Sequence, residues 1–307
     1  MIFYSGGKRL LPLFVSMQTI RPEQNTRFQQ LLKAPQTIIM GVLNVTPDSF
    51  SDGGLFLSAE QATVHAMTML EEGADIIDIG GQSTRPPGST YGQGAERISV
   101  DEELRRVLPV IDFIMMERPD CLISIDTTRS EVAKRAIESG ATIINDVSAG
   151  TDDENMFAVA KETLAPIILM HGYGPEFQKG SIDDYSYEDV VAEVLTWLEV
   201  RIAAAQALGI ETILADMGFG FAKGAADNMK LLKEHSAFNN LHVPLVLGVS
   251  RKSTIGKILG DVPPSERVYG SIAASCYGSR NGAKMIRTHD VRQTKEAMKV
   301  IDVLKAL

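Results

Sequence analysis

The chain has 307 residues, 44% of them hydrophobic and 22% charged, with a formal net charge of −9. That acidic balance argues against nucleic-acid binding, which selects dense Lys/Arg surfaces, and no apolar run approaches the roughly 20 residues that a membrane helix needs. Cys121 and Cys276 stand far apart, without disulfide-framework or zinc-ligand spacing, which points to a reducing compartment.

Residues 1–36 carry Lys8, Arg9, Arg21, Arg27 and Lys33 against Glu23, a net of +4 beside −13 for the remainder. With the short apolar stretch Leu10 to Val15, they read either as a transit peptide of a mitochondrial protein or as a plain extension on a cytoplasmic one. Residues 37–307 read as one domain. Thr37 to Leu43 begins it as a buried strand. Ser58-Ala59-Glu60-Gln61 then reads as a capping box that opens a helix with Ala62, Ala66, Met69 and Leu70 on one face.

A repeat follows, in which a glycine closes a helix and a short apolar run begins two or three residues later. It occurs at Gly73, Gly140, Gly209 and Gly282, at intervals of 67, 69 and 73 residues. Each glycine suits the left-handed position after a helix, and each run suits a buried parallel strand. One further run lies between successive repeats: Leu122 to Ile125, Pro166 to Met170, and Pro244 to Val249. The total is eight strands. A second capping box, Ser99-Val100-Asp101-Glu102, precedes Leu104, Val107, Leu108 and Ile111 at helical spacing. Val190, Val194, Leu198 and Ile202 mark one face of a long helix, with Trp197 beside it. Eight apolar strands separated by helices predict an α/β fold, a (β/α)8 TIM barrel of the usual size of about 250 residues. A doubly wound open sheet is the alternative.

In such barrels the chemistry gathers at the C-terminal ends of the strands. Those ends carry Asn44, Gly80 and Gly81, Asp126, Asn145 and Asp146, His171, Asp216, Ser250 to Lys252, and His289. Taken one at a time they have plain explanations. Asn44 and Asp52 suit turns, and Asp126 suits a helix cap near Arg129. Arg287 and His289 alternate along the last strand and so share a side; an arginine on the barrel axis is costly unless paired, which predicts an anion between the two.

Taken together, the segments NVTPDSFSDGG, GGQSTRP, SRKS and RTHDV, in this order and with their strand ends, closely resemble the dihydropteroate synthase family over residues 37 to 304. The resemblance implies condensation of 6-hydroxymethyl-7,8-dihydropterin pyrophosphate with p-aminobenzoate, giving 7,8-dihydropteroate and pyrophosphate for folate synthesis. It implies a pterin site at Asp126, Asn145, Asp216 and Lys252, and a pyrophosphate site at Asn44, Arg287 and His289, with Asn44 also holding Mg2+. It implies a p-aminobenzoate site at Thr84, Arg85, Pro86, Phe221 and Ser253, loop closure by Phe50 and Asp52, and a homodimer. Arg287, His289, Lys252 and Asp126 are the residues it implies for catalysis. The chain departs from the family at Met217, where proline is usual, at Ala222, where glycine is common, and after His171, where an arginine is often seen. A methyltetrahydrofolate-binding methyltransferase barrel and an inactive binding barrel are the alternatives, and neither needs the Arg287 and His289 pair.

Overall fold

The computed structural model describes residues 19–45, 54–82, 97–172 and 185–307. Eight strands close into a parallel barrel in chain order. They are β1 (Ile38–Asn44), β2 (Ile76–Gly80), β3 (Ile123–Asp126), β4 (Ile143–Asp146), β5 (Ile167–Met170), β6 (Ile213–Asp216), β7 (Leu245–Leu247) and β8 (Ala283–Thr288). β8 returns to β1, with Met285 beside Ile38 and Arg287 beside Met40. The closed barrel and its eight strands are those expected from the sequence.

Closure explains why the strands are apolar on both faces. Ile38, Met40, Ile76, Leu122, Ile143, Ile168, Leu214, Val246 and Met285 fill the interior, while the alternate residues, such as Ile39, Ile77, Ile123 and Ile286, face the surrounding helices. Both sets leave water, so neither face has a polar period to show. Gly73, Gly140, Gly209 and Gly282 all have positive φ, between 79° and 121°, as the repeat requires.

The helices are α1 (Pro22–Lys33), α2 (Gly54–Glu71), α3 (Val100–Glu117), α4 (Ser130–Ser139), α5 (Met156–Thr163), α6 (Val190–Ala207), α7 (Ala225–Lys233), α8 (Ser253–Ile258), α9 (Val268–Arg280) and α10 (Val291–Ala306). The long helix is α6, with Val190, Val194, Leu198 and Ile202 all buried. Two capping expectations need correction. α2 begins at Gly54, so Ser58 lies inside the helix rather than before it. At α3, Ser99 accepts from the Glu102 amide at 3.2 Å, but the Glu102 carboxylate turns to Arg105 and Arg106, at 2.7 and 2.8 Å. Only half of that box forms.

α1 is an element the sequence reading did not anticipate. Its Phe28 is fully buried against the interior side chains at the N-terminal end of the barrel, with Leu31 and Leu32 beside it. Gln24 is buried too and donates to the Cys121 carbonyl at 2.8 Å. The helix closes the barrel bottom and leaves chemistry to the other end.

Candidate active site

At the C-terminal end of the barrel, four strands converge on one guanidinium. Arg287 of β8 donates from Nε to Asp78 Oδ2 of β2 at 2.6 Å and from Nη2 to Asp126 Oδ2 of β3 at 2.7 Å. Asn145 of β4 donates to Asp78 Oδ2 at 3.2 Å. Burial opposes the Arg287 charge, yet Asp78 and Asp126 more than offset it and hold its pKa above the usual range. The expectation that an axial arginine must be paired holds, and its partners here are two carboxylates of the barrel, Asp78 and Asp126. Arg287 retains 22% side-chain exposure toward the mouth, so a ligand can still reach it.

Asp126 does not cap a helix. α4 starts at Ser130 with Arg129 before it, and Asp126 turns inward. Burial pushes its carboxyl up to about 7 against the pull of Arg287, with Asp78 adding to the rise. Its second oxygen, Oδ1, is buried without a hydrogen-bond partner among the described residues. Such an acceptor is costly to leave unmade.

Asp216 ends β6 opposite. Its Oδ1 accepts from the Gly218 amide at 2.7 Å, and burial raises its pKa against Lys252. Gly248 leaves open the space between Asp216 and Arg287: a Cβ there would meet each at 3.8 Å. Lys252 enters from the β7 loop, donates to the Phe219 carbonyl and lies 4.4 Å above the centre of the Phe221 ring. Burial lowers its pKa to about 8, despite Asp216.

His289 follows β8 and pairs with Ser250: its amide donates to Ser250 Oγ at 3.1 Å, and Nδ1 lies 3.1 Å from the same oxygen. Burial, then Arg287 and Arg251, lower its pKa to about 4, so it is neutral at physiological pH. The next residue, Asp290, forms an ion pair with Arg251, whose backbone is left-handed at φ 58°. This pair ties the β7 loop to the end of β8.

The structure thus brings together Asp126, Asn145, Asp216, Lys252, Arg287 and His289. Asn44 ends β1 with an exposed side chain, and its Oδ1 would lie 3.8 Å from a Cβ at Gly80, which the same count puts 3.6 Å from Asp126. Ser253 opens α8 next to Lys252. Phe50, Asp52, Thr84, Arg85 and Pro86 lie outside the described residues. Asp78 was not singled out from sequence. Its signal was an acid inside a strand whose five residues are all buried, a placement that demands a partner. Ala222, where the resemblance led to an expectation of glycine, adopts φ 47°, the region glycine enters without strain.

Among the described residues no cluster of three His, Cys, Asp or Glu could cage a metal ion. The exposed Asn44 at the end of β1 offers an amide oxygen of the kind that suits a hard cation shared with substrate phosphates and waters.

Barrel and mouth together define a class, and a family profile described as "Pterin binding enzyme" matches residues 40–289; the chain belongs to that family. A dihydropteroate synthase of Synechocystis sp. is 45% identical over 271 residues, covering 88% of this chain and 90% of that protein. The solved structure of Xanthomonas albilineans dihydropteroate synthase with 4-aminobenzoic acid superposes with a TM-score of 0.80 at 41% identity, over 90% of this chain and 95% of that one. The same enzyme with 7,8-dihydropteroate gives a TM-score of 0.77 at 39% identity, over the same shares. Within the family, the place of this chain is among the dihydropteroate synthases.

Proposed function

We infer that this barrel joins 6-hydroxymethyl-7,8-dihydropterin pyrophosphate to p-aminobenzoate and releases 7,8-dihydropteroate and pyrophosphate. The observation that carries the reading is the buried Oδ1 of Asp126, which has no hydrogen-bond partner among the described residues, at a barrel mouth where Asn145, Asp216 and Lys252 also end strands or enter from their loops. An amino-pyrimidinone ring offers paired N–H donors, and carboxylates such as Asp216 accept these with charge assistance. Lys252 donates to the ring's acceptors, and Phe221 and Ser253 flank the arylamine beside it.

The chemistry is an ionisation-led alkyl transfer. The bond from the pterin methylene to the pyrophosphate oxygen breaks, and its electron pair leaves with the oxygen. The electron-rich dihydropterin delocalises the resulting positive charge, the arylamine nitrogen forms the new bond, and its extra proton passes to solvent. Negative charge grows on the departing oxygen, so fixed positive charge there lowers the barrier. Arg287 supplies it without reorganisation, because Asp78 and Asp126 hold the guanidinium in place. His289, held by Ser250, adds a hydrogen-bond donor at the same anion.

Asn44 would hold magnesium bound with the pyrophosphate, and the ion would supply charge neutralisation at the phosphate oxygens. The chain works as a homodimer, through the apolar outer face of its C-terminal helix. No helix of the described residues is long and apolar enough to cross a membrane. Both cysteines are free thiols, which suits a reducing compartment such as the cytoplasm.

The test is incubation of the protein with the dihydropterin pyrophosphate, p-aminobenzoate and magnesium, with both products quantified. Dihydropteroate and pyrophosphate should appear in equal amounts. Pyrophosphate release that does not depend on p-aminobenzoate, or no product at all, refutes the reading.

A further inference from the structure

Beneath the mouth lies a buried lysine that the substrate reading leaves unused. Lys223 is 1% exposed, and its partners are a histidine and loop carbonyls. Nζ lies 2.8 Å from His171 Nδ1 and donates to the Phe221 carbonyl at 2.9 Å and the Gly218 carbonyl at 3.1 Å. Those two carbonyls bracket the turn after β6. That same turn supplies the Phe219 carbonyl and the Phe221 ring that hold Lys252.

His171 is fixed in its turn. Its ring meets Trp197 edge to face, with centroids 5.0 Å apart, and Tyr187 packs at 6.2 Å while its hydroxyl donates to the Ala222 carbonyl at 2.8 Å. The β5 end and the β6 turn approach so closely that a Cβ on Gly218, at φ 70°, would stand 1.6 Å from the His171 carbonyl oxygen. Burial, with Lys223 second, holds the His171 pKa far below the usual histidine range, so the imidazole is a neutral acceptor. Without Lys223 the Phe221 carbonyl loses its side-chain donor and the Gly218 carbonyl keeps only the Phe221 amide, at 3.1 Å, and a carbonyl that loses its donor drives a loop to rearrange toward water.

We propose that Lys223 and His171 are positioning residues: they fix the Gly218 to Phe221 turn so that its carbonyl and ring place the Lys252 ammonium in the mouth. This rests on the reading of Lys252 as a substrate-binding group, but the placement itself can be measured with no substrate present. Acetylation of the free protein by an activated ester, followed by mass spectrometry, reports the reactivity of Lys252 relative to Lys295 on α10. In Lys223→Met, where the turn loses its donor, Lys252 should react roughly tenfold faster, as expected when one charge-assisted hydrogen bond is lost, while Lys295 is unchanged. The fluorescence of Trp197, the only tryptophan, checks that the variant is folded.

Should Lys223→Met fail to fold, His171→Leu carries the test, with the same direction expected. His171→Asn, which keeps an acceptor opposite Nζ, should restore slow labelling. Lys252 reactivity equal to wild type in folded Lys223→Met or His171→Leu overturns the proposal. A chain that makes no dihydropteroate yet shows the labelling change refutes the substrate reading and leaves the positioning pair standing.

Discussion

Lys252 and Asp126 are both drawn toward neutrality by burial, in opposite directions on the pH scale, and that sets the working range. The lysine is protonated below about 8, and the aspartate ionises above about 7. If the pterin needs an accepting carboxylate and a donating ammonium, kcat/KM should rise as pH climbs through the Asp126 value and fall as it passes the Lys252 value. The free-enzyme profile is then a narrow bell, whose apparent limits belong to the coupled set rather than to single residues. His289, neutral from about 4 upward, adds no limb of its own. In Lys252→Arg the alkaline limb should vanish, since guanidinium keeps its proton above roughly pH 12. In the residual activity of Asp126→Asn the acid limb should vanish. An alkaline limb that persists in Lys252→Arg removes this lysine from the profile.

The strands could be read from the chain because each is a short apolar run, four of them behind a left-handed glycine and the others spaced between those repeats, and these signals are local. The strand-end residues could be read for the same reason: Asp126, Asn145 and Asp216 each end such a run. The Asp78 to Arg287 bond could not, because its partners are 209 positions apart and meet only when β8 closes on β2's side of the barrel. α1 was missed on similar grounds. Its apolar residues are few, and the surface that buries Phe28 exists only once all eight strands are in place. Phe28→Ala leaves a void under that plug, and removal of a fully buried phenylalanine costs about 3–5 kcal/mol. Urea unfolding should show a lower midpoint with an unchanged slope. A loss under about 1 kcal/mol, the level of an ordinary surface change, would mean that α1 does not seal the barrel.

On the whole molecule, the face opposite the α10 contacts with β1 carries an apolar stripe in water. Val300 is 61% exposed, Val303 63% and Leu304 51%, and this i, i+3, i+4 spacing puts all three on one side of the helix, with Leu307, 97% exposed, just past its end. Single exposed apolar side chains are ordinary, but an apolar stripe along one helix is the pattern of an interface. A second copy of the chain fits this face, because a two-fold axis lets one patch cover itself. Sedimentation velocity at micromolar concentration should give a dimer. In Val303→Glu with Leu304→Glu, four carboxylates enter the shared face, two from each copy, and burying unpaired charge costs more than the apolar contact returns. The variant should sediment as a monomer. Each chain carries its own Asp78, Asp126, Asp216, Lys252 and Arg287, so the monomer should still bind a pterin with wild-type affinity. Equal sedimentation of variant and parent, or a parent that is already monomeric, disposes of this interface.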